Sequence, residues 1–188
     1  MKEKEMHGKD EKLSNPHIFD YNIVLIGFMG AGKSTVASYM HKTFSMEIIE
    51  MDQVIVEQQG MSIPEIFEKH GEEYFRNLET QLLIDLQERK NVIISCGGGV
   101  ALRERNVREM KKNGRVVLLT ASPETILERV KDCDDRPLLN GAKNVEHITK
   151  LMDARRPKYE AAADIIIATD GKSASEICRE IVGKLQEA

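Results

Sequence analysis

Residues 27–35 read GFMGAGKST, and Gly27, Gly32, Lys33 and Ser34 fall on the fixed positions of G-x-x-x-x-G-K-[ST], the spacing of a phosphate-binding loop. Each residue type has a reason to stand there. Gly27 and Gly32 accept backbone angles that a Cβ forbids, so amides from Gly30, Ala31, Gly32, Lys33, Ser34 and Thr35 can converge on one anion. Lys33 brings a point charge to the β- and γ-phosphates, and the Ser34 hydroxyl suits Mg2+. A plain glycine-rich turn is the alternative. It is disfavoured because an apolar run, Ile23–Ile26, precedes the loop and a helix-like run, "KSTVASYMHKTF", follows it.

Phosphate binding alone names no activity; the receiving group must be found elsewhere. Glu50 and Asp52 stand in an E-x-D pair after a second apolar run, and Gly97–Gly98–Gly99 follow a third. Arg76 and Glu79 are spaced i, i+3 and so share a helical face. Arg155 and Arg156 precede Pro157 and Tyr159, and Arg136 lies in the polar stretch "DCDDRPLLNGAKN". Bland readings exist for each. Arg76 could pair with Glu79 or Glu73 on a solvated face, Asp52 could cap the helix after it, Arg156 reads as an exposed charge, and Glu50 could merely end its strand. Glu79 is expected to orient Arg76 rather than touch a substrate.

These residues need a scaffold that brings them together. Strands are expected at Ile23–Ile26, Glu47–Glu50, Val92–Ser95, Val116–Leu119 and Ile165–Ala168. Helices are expected at Lys33–Phe44, Asp52–Gln59, Ile63–His70, Glu72–Arg89, Leu102–Lys112, Pro123–Lys131, Val145–Ala161 and Ser173–Gln186. Such alternation implies an α/β fold, a parallel sheet covered by helices on both faces, with ligands at the carboxyl ends of the strands. Residues 132–144 break the periodicity and are expected to form a mobile lid. Residues 1–20 are highly charged as far as Lys12 and are expected to be a disordered extension before a single domain over 21–188.

Composition narrows the function classes. The chain has 188 residues, 41% hydrophobic and 31% charged, enough for one domain with a full core. A net charge of −4 argues against a general nucleic-acid partner. No apolar run approaches a membrane span, and the N-terminus lacks the apolar stretch of a secretory signal. Cys96, Cys133 and Cys178 are widely spaced, which fits reduced thiols in a cytoplasm better than a zinc site or disulfides. Cys96 is expected to be a packed thiol rather than a nucleophile. The histidines show no metal-ligand spacing.

From residue 22 onward the chain resembles the shikimate kinase family. The resemblance rests on GFMGAGKST, Asp52, G-x-S-I-x-E-I-F at Gly60–Phe67, G-E-x-x-F-R-x-x-E at Gly71–Glu79, Gly97–Gly99, R-P-L-L at Arg136–Leu139 and R-x-P-x-Y at Arg155–Tyr159, in order and at compatible spacings. It implies ATP- and Mg2+-dependent phosphorylation of the 3-hydroxyl of shikimate, in aromatic amino acid biosynthesis. It also implies a three-layer, nucleoside-monophosphate-kinase-like P-loop fold with a five-stranded parallel sheet and a mobile lid, and a cytoplasmic enzyme expected to be monomeric. Carried over by motif, Asp52 contacts the acceptor hydroxyls, Arg76 and Arg155 hold the acceptor carboxylate, and Gly98 approaches through its backbone. Arg136 closes on the transferring phosphate and Arg129 flanks adenine. The departure is Glu50, where the family usually has an aspartate that helps hold Mg2+; a metal role beside Ser34 is expected to persist. Paired arginines suit a small carboxylate, and an aspartate suits proton acceptance in phosphoryl transfer. Two rivals differ in what they need. A gluconate kinase would share the loop without requiring these arginines, and a nucleotide-binding regulatory module would have no use for an acceptor pocket.

Overall fold

The computed structural model describes residues 19–131 and 144–187. The expected lid, apart from Asn144, lies outside the described residues, and so do Arg136, Cys133 and residues 1–18 of the expected extension. Phe19 and Asp20 are described, and Phe19 is buried in the core.

Five apolar runs form strands β1 (Asn22–Ile26), β2 (Glu47–Glu50), β3 (Val92–Ser95), β4 (Gly114–Thr120) and β5 (Ile165–Ala168). They pair in parallel in the order β2-β3-β1-β4-β5. Every residue of β1 is buried, as the central strand of a covered sheet must be. The helices are α1 (Lys33–Phe44), α2 (Met51–Gln59), α3 (Ile63–His70), α4 (Glu72–Asp85), α5 (Glu104–Lys112), α6 (Pro123–Val130), α7 (Val145–Ala162) and α8 (Ala174–Glu187). Helices α1 and α8 pack together, α1 against β1–β3 and α8 against β5, while α5 and α7 pack on β4. The result is the three-layer arrangement expected for a P-loop fold. Because the strands run one way, their carboxyl ends and the loops after them gather along one edge.

Local chemistry sets the elements that carry the site. Gly32, at φ 98°, turns the chain into α1. Ser62 and Glu65 close a reciprocal capping box on α3, with Ser62 N donating to Glu65 Oε2 at 2.8 Å. Phe67 of α3 packs against Phe75 of α4 as a tilted pair with ring centroids 5.1 Å apart, joining α3 to α4 next to Arg76.

Several element boundaries depart from the sequence expectation. β4 starts at Gly114, two residues early, because Gly114 pairs with Asn22 in register. A Cβ there would sit 2.7 Å from the Met110 carbonyl oxygen, so this strand position needs a residue that sequence patterning treats as a breaker. Helix α4 ends at Asp85 and tightens into a 3-10 turn, Leu86–Glu88, rather than running on to Arg89. α5 begins at Glu104, after a separate 3-10 turn, Val100–Leu102. α8 begins at Ala174, leaving Ser173 as the hydroxyl that accepts from Glu176 N. On edge strand β5, Ile165 and Ile167 are buried while Ile166 is 44% exposed.

Candidate active site

The glycine loop follows β1, the middle strand, and opens onto a cavity of about 440 Å3. Gly30, Gly32, Lys33, Ser34 and Thr35 line it, with Glu50 and Asp52 from the β2–α2 junction and Gly97 and Gly98 from the turn after β3. Arg129, Thr169 and Lys172 complete its far side. Gly27 is at φ 143°, and a Cβ on it would run into the Leu119 carbonyl. Ala31 is buried beneath the loop. Lys33 Nζ donates to the carbonyls of Gly27 (3.0 Å) and Phe28 (3.1 Å), which holds its ammonium over the loop.

Arg129 of α6 ties this loop to the end of β5. Its Nη1 donates to Gly30 O and Thr169 Oγ1, both at 3.0 Å, and Nη2 reaches Thr169 O at 3.3 Å. Thr169 is fully buried, and its hydroxyl donates to Thr120 O at 3.0 Å, with Ala31 O also in reach at 3.2 Å. Sequence reasoning missed Thr169. A single threonine after a strand carries no motif, and only the fold sets it between the loop and Arg129.

The acceptor candidates meet at the glycine triplet. A Cβ on Gly97 would lie 2.6 Å from Asp52 Oδ1, and one on Gly99 would lie 2.6 Å from Arg76 Cζ. Gly98 faces Arg155 Nη1 and the Tyr159 hydroxyl, which would stand 3.9 and 3.7 Å from a Cβ there. The triplet is therefore bare so that three elements, α2, α4 and α7, can press their functional side chains against it. Arg76 Nη1 donates to both oxygens of Glu79 (3.1 and 3.0 Å), and Nη2 pairs with Glu72 at 2.9 Å. Each arginine rests on an aromatic face: Arg76 over Phe75 at 5.5 Å, Arg155 over Phe28 at 5.7 Å. Arg156 instead pairs with Asp153 at the surface, as an exposed charge should.

Electrostatics separate the roles further. Burial pushes the fully enclosed Glu79 carboxyl up to about 7, against the pull of the Arg76 guanidinium, with the Asp52 charge adding to the rise. Burial also lifts the Cys96 thiol far above its ordinary value, which leaves it a packing group and not a nucleophile. Glu50, not Asp52, is the N-cap residue of α2, so capping does not explain Asp52. The Ser34 hydroxyl and the Glu50 and Asp52 carboxylates face one cavity, an all-oxygen donor set that fits a hard cation such as Mg2+. Among the described residues no helix is long and apolar enough to cross a membrane.

A phosphate loop on a five-stranded parallel sheet, with a carboxylate and two anchored arginines gathered beside it, is the arrangement of a P-loop kinase. The family model for shikimate kinase matches residues 29–186. A shikimate kinase from Dehalococcoides mccartyi is 42% identical over 166 residues, covering 88% of this chain and 94% of the relative. The structure of the Acinetobacter baumannii shikimate kinase in complex with shikimate superposes with a TM-score of 0.82 at 34% identity, covering 89% of this chain and 93% of that one. The Aquifex aeolicus shikimate kinase structure gives 0.75 at 41% identity, covering 88% and 96%. The chain belongs to the shikimate kinase family. Members of that family phosphorylate shikimate with ATP and Mg2+, in aromatic amino acid biosynthesis, and this chain is an ATP-dependent phosphotransferase of that kind.

Proposed function

We propose that this chain transfers the γ-phosphoryl group of ATP to the 3-hydroxyl of shikimate with the following division of labour. Asp52 orients the acceptor hydroxyl and takes its proton as the oxygen attacks phosphorus. Arg76 and Arg155 grip the acceptor carboxylate through charge-assisted hydrogen bonds, and the Gly98 backbone lies against the acceptor ring. Lys33 and Arg136 offset charge on the transferring group, with Arg136 assigned by its R-P-L-L motif. Amides from Gly30 to Thr35 hold the phosphates, and Arg129 packs on the adenine side. The Ser34 hydroxyl and the Glu50 carboxylate, together with the nucleotide, would hold Mg2+, which would serve as a Lewis acid that neutralises phosphate charge. The reading extends to a cytoplasmic monomer that takes a small-molecule substrate rather than nucleic acid, with residues 132–144 as a lid and an extension that ends at residue 18 rather than 20, because Phe19 already packs in the core.

The observation that carries this reading is the convergence of Asp52, Arg76 and Arg155 on Gly97–Gly99, at the edge of the cavity that the phosphate loop opens into. Gluconate also carries a carboxylate, so it is the control that separates this acceptor from another small acid, whereas a regulatory nucleotide switch has no acceptor to clamp. The test is ADP release measured in parallel with shikimate, with gluconate and with no acceptor. Strong stimulation by shikimate alone is expected. Equal release in all three, from folded protein, would remove the assignment.

A further inference from the structure

The tyrosine of R-x-P-x-Y has no chemistry in the reading above, yet Tyr159 is 5% exposed and its hydroxyl is aimed at the site. It donates to the Gly98 carbonyl oxygen at 2.5 Å. The Arg155 guanidinium, one helical turn earlier on α7, lies beside the same phenol oxygen. One hydroxyl thus has its proton on a backbone carbonyl and its lone pairs toward a cation. We infer that Tyr159 is a positioning residue of the acceptor site, locking the Gly98–Gly99 peptide and orienting Arg155 so that an acceptor carboxylate meets the guanidinium and not the carbonyl.

The physical argument has three parts. A carbonyl oxygen turned toward a bound carboxylate would repel it, and a planar trans peptide keeps its oxygen on whichever side it is held. Glycines on both sides of that peptide offer little resistance to its rotation, so an external tether is needed. Burial raises the Tyr159 pKa above its ordinary 10, so the hydroxyl remains a donor across the working range. The tether also completes a chain from backbone to cation whose members polarise one another.

This inference rests on the proposed roles of Arg155 and Gly98, and its test separates the two. Tyr159→Phe keeps the ring and removes only the hydroxyl. The shikimate KM should rise about tenfold, the yield of one lost hydrogen bond at a buried site, while kcat falls no more than about threefold. The ATP KM and the unfolding midpoint should stay near wild type. In a double-mutant cycle with Arg155→Lys, read as shikimate affinity by equilibrium dialysis, the two losses should be strongly non-additive. A shikimate KM within about twofold of wild type would overturn the inference. So would additive losses, or damage shared equally by the ATP KM and the unfolding midpoint. A wild-type enzyme with no shikimate-dependent turnover would remove the kinase assignment as well.

Discussion

Glu79 shows how one residue's surroundings convert a surface-type spacing into a buried device. The i, i+3 pair with Arg76 is what a solvated helix face would show, and periodicity alone favours that reading. Enclosure changes its consequence, because the carboxyl has no water to turn to and holds its proton up to about pH 7. A raised acid pKa means that the folded state binds its proton more tightly than the unfolded chain, whose ordinary value is 4.5. The stabilising contribution is therefore complete below pH 4.5 and is lost as pH rises through about 7. Glu79→Gln, which carries no titrating proton, should gain on wild type in unfolding free energy as pH is raised from 5 to 7.5 and then hold a constant difference. Urea unfolding of both proteins across that range checks it; a difference independent of pH would mean the carboxylate is ionised throughout.

Among elements, the turn after β3 is the joint on which three helices depend. Helices α2, α4 and α7 come from distant parts of the chain, and each sends at least one side chain against the same glycines. Adding a methyl group should therefore separate their contributions. Gly99→Ala pushes against the Arg76 guanidinium and should raise the shikimate KM roughly tenfold, as moderate overpacking would, with the ATP KM little changed. Gly97→Ala presses on Asp52 Oδ1, so its main effect should fall on kcat. Steady-state kinetics with each substrate varied in turn distinguish the two patterns. Identical profiles for both variants would mean that the turn moves as a unit and does not divide binding from chemistry.

At the scale of the molecule, the nucleotide cavity is a seam between parts of the sheet that the chain visits far apart in sequence. The phosphate loop leaves β1, Arg129 comes from α6, and Thr169 and Lys172 follow β5. A nucleotide bound in that seam would bridge all three at once and should stabilise the whole fold by mass action. At a hundredfold excess over its Kd, ADP with Mg2+ adds about 2.7 kcal/mol, or roughly 5–10 °C in Tm for a chain of this size. Lys33→Met should abolish most of that shift while leaving the ligand-free Tm near wild type. Scanning calorimetry with and without ADP and Mg2+ measures it; an undiminished shift in the variant would take Lys33 out of the phosphate site.

The sequence by itself determined the order and type of the elements and the phosphate loop. Those signals are local: a period of two or 3.6, and glycines where only positive φ will do. It also carried the acceptor candidates, because Asp52, Arg76, Gly98 and Arg155 sit in short spaced motifs. It misplaced the start of β4 and the end of α4, where register with Asn22 and a tightened final turn outweigh local propensity. It did not reveal Thr169 or a task for Tyr159, since the groups that give them one, Arg129, Ala31 and Thr120 for the first and the Gly98 carbonyl for the second, lie far along the chain. Only the tertiary structure decided that Glu79 is enclosed, that Gly98 is tethered by a phenol, and that Arg129 clasps the phosphate loop to β5. Each of those facts depends on groups many residues apart being brought within hydrogen-bond range, which no local pattern encodes and which the parallel sheet accomplishes by turning every strand's carboxyl end toward the same edge.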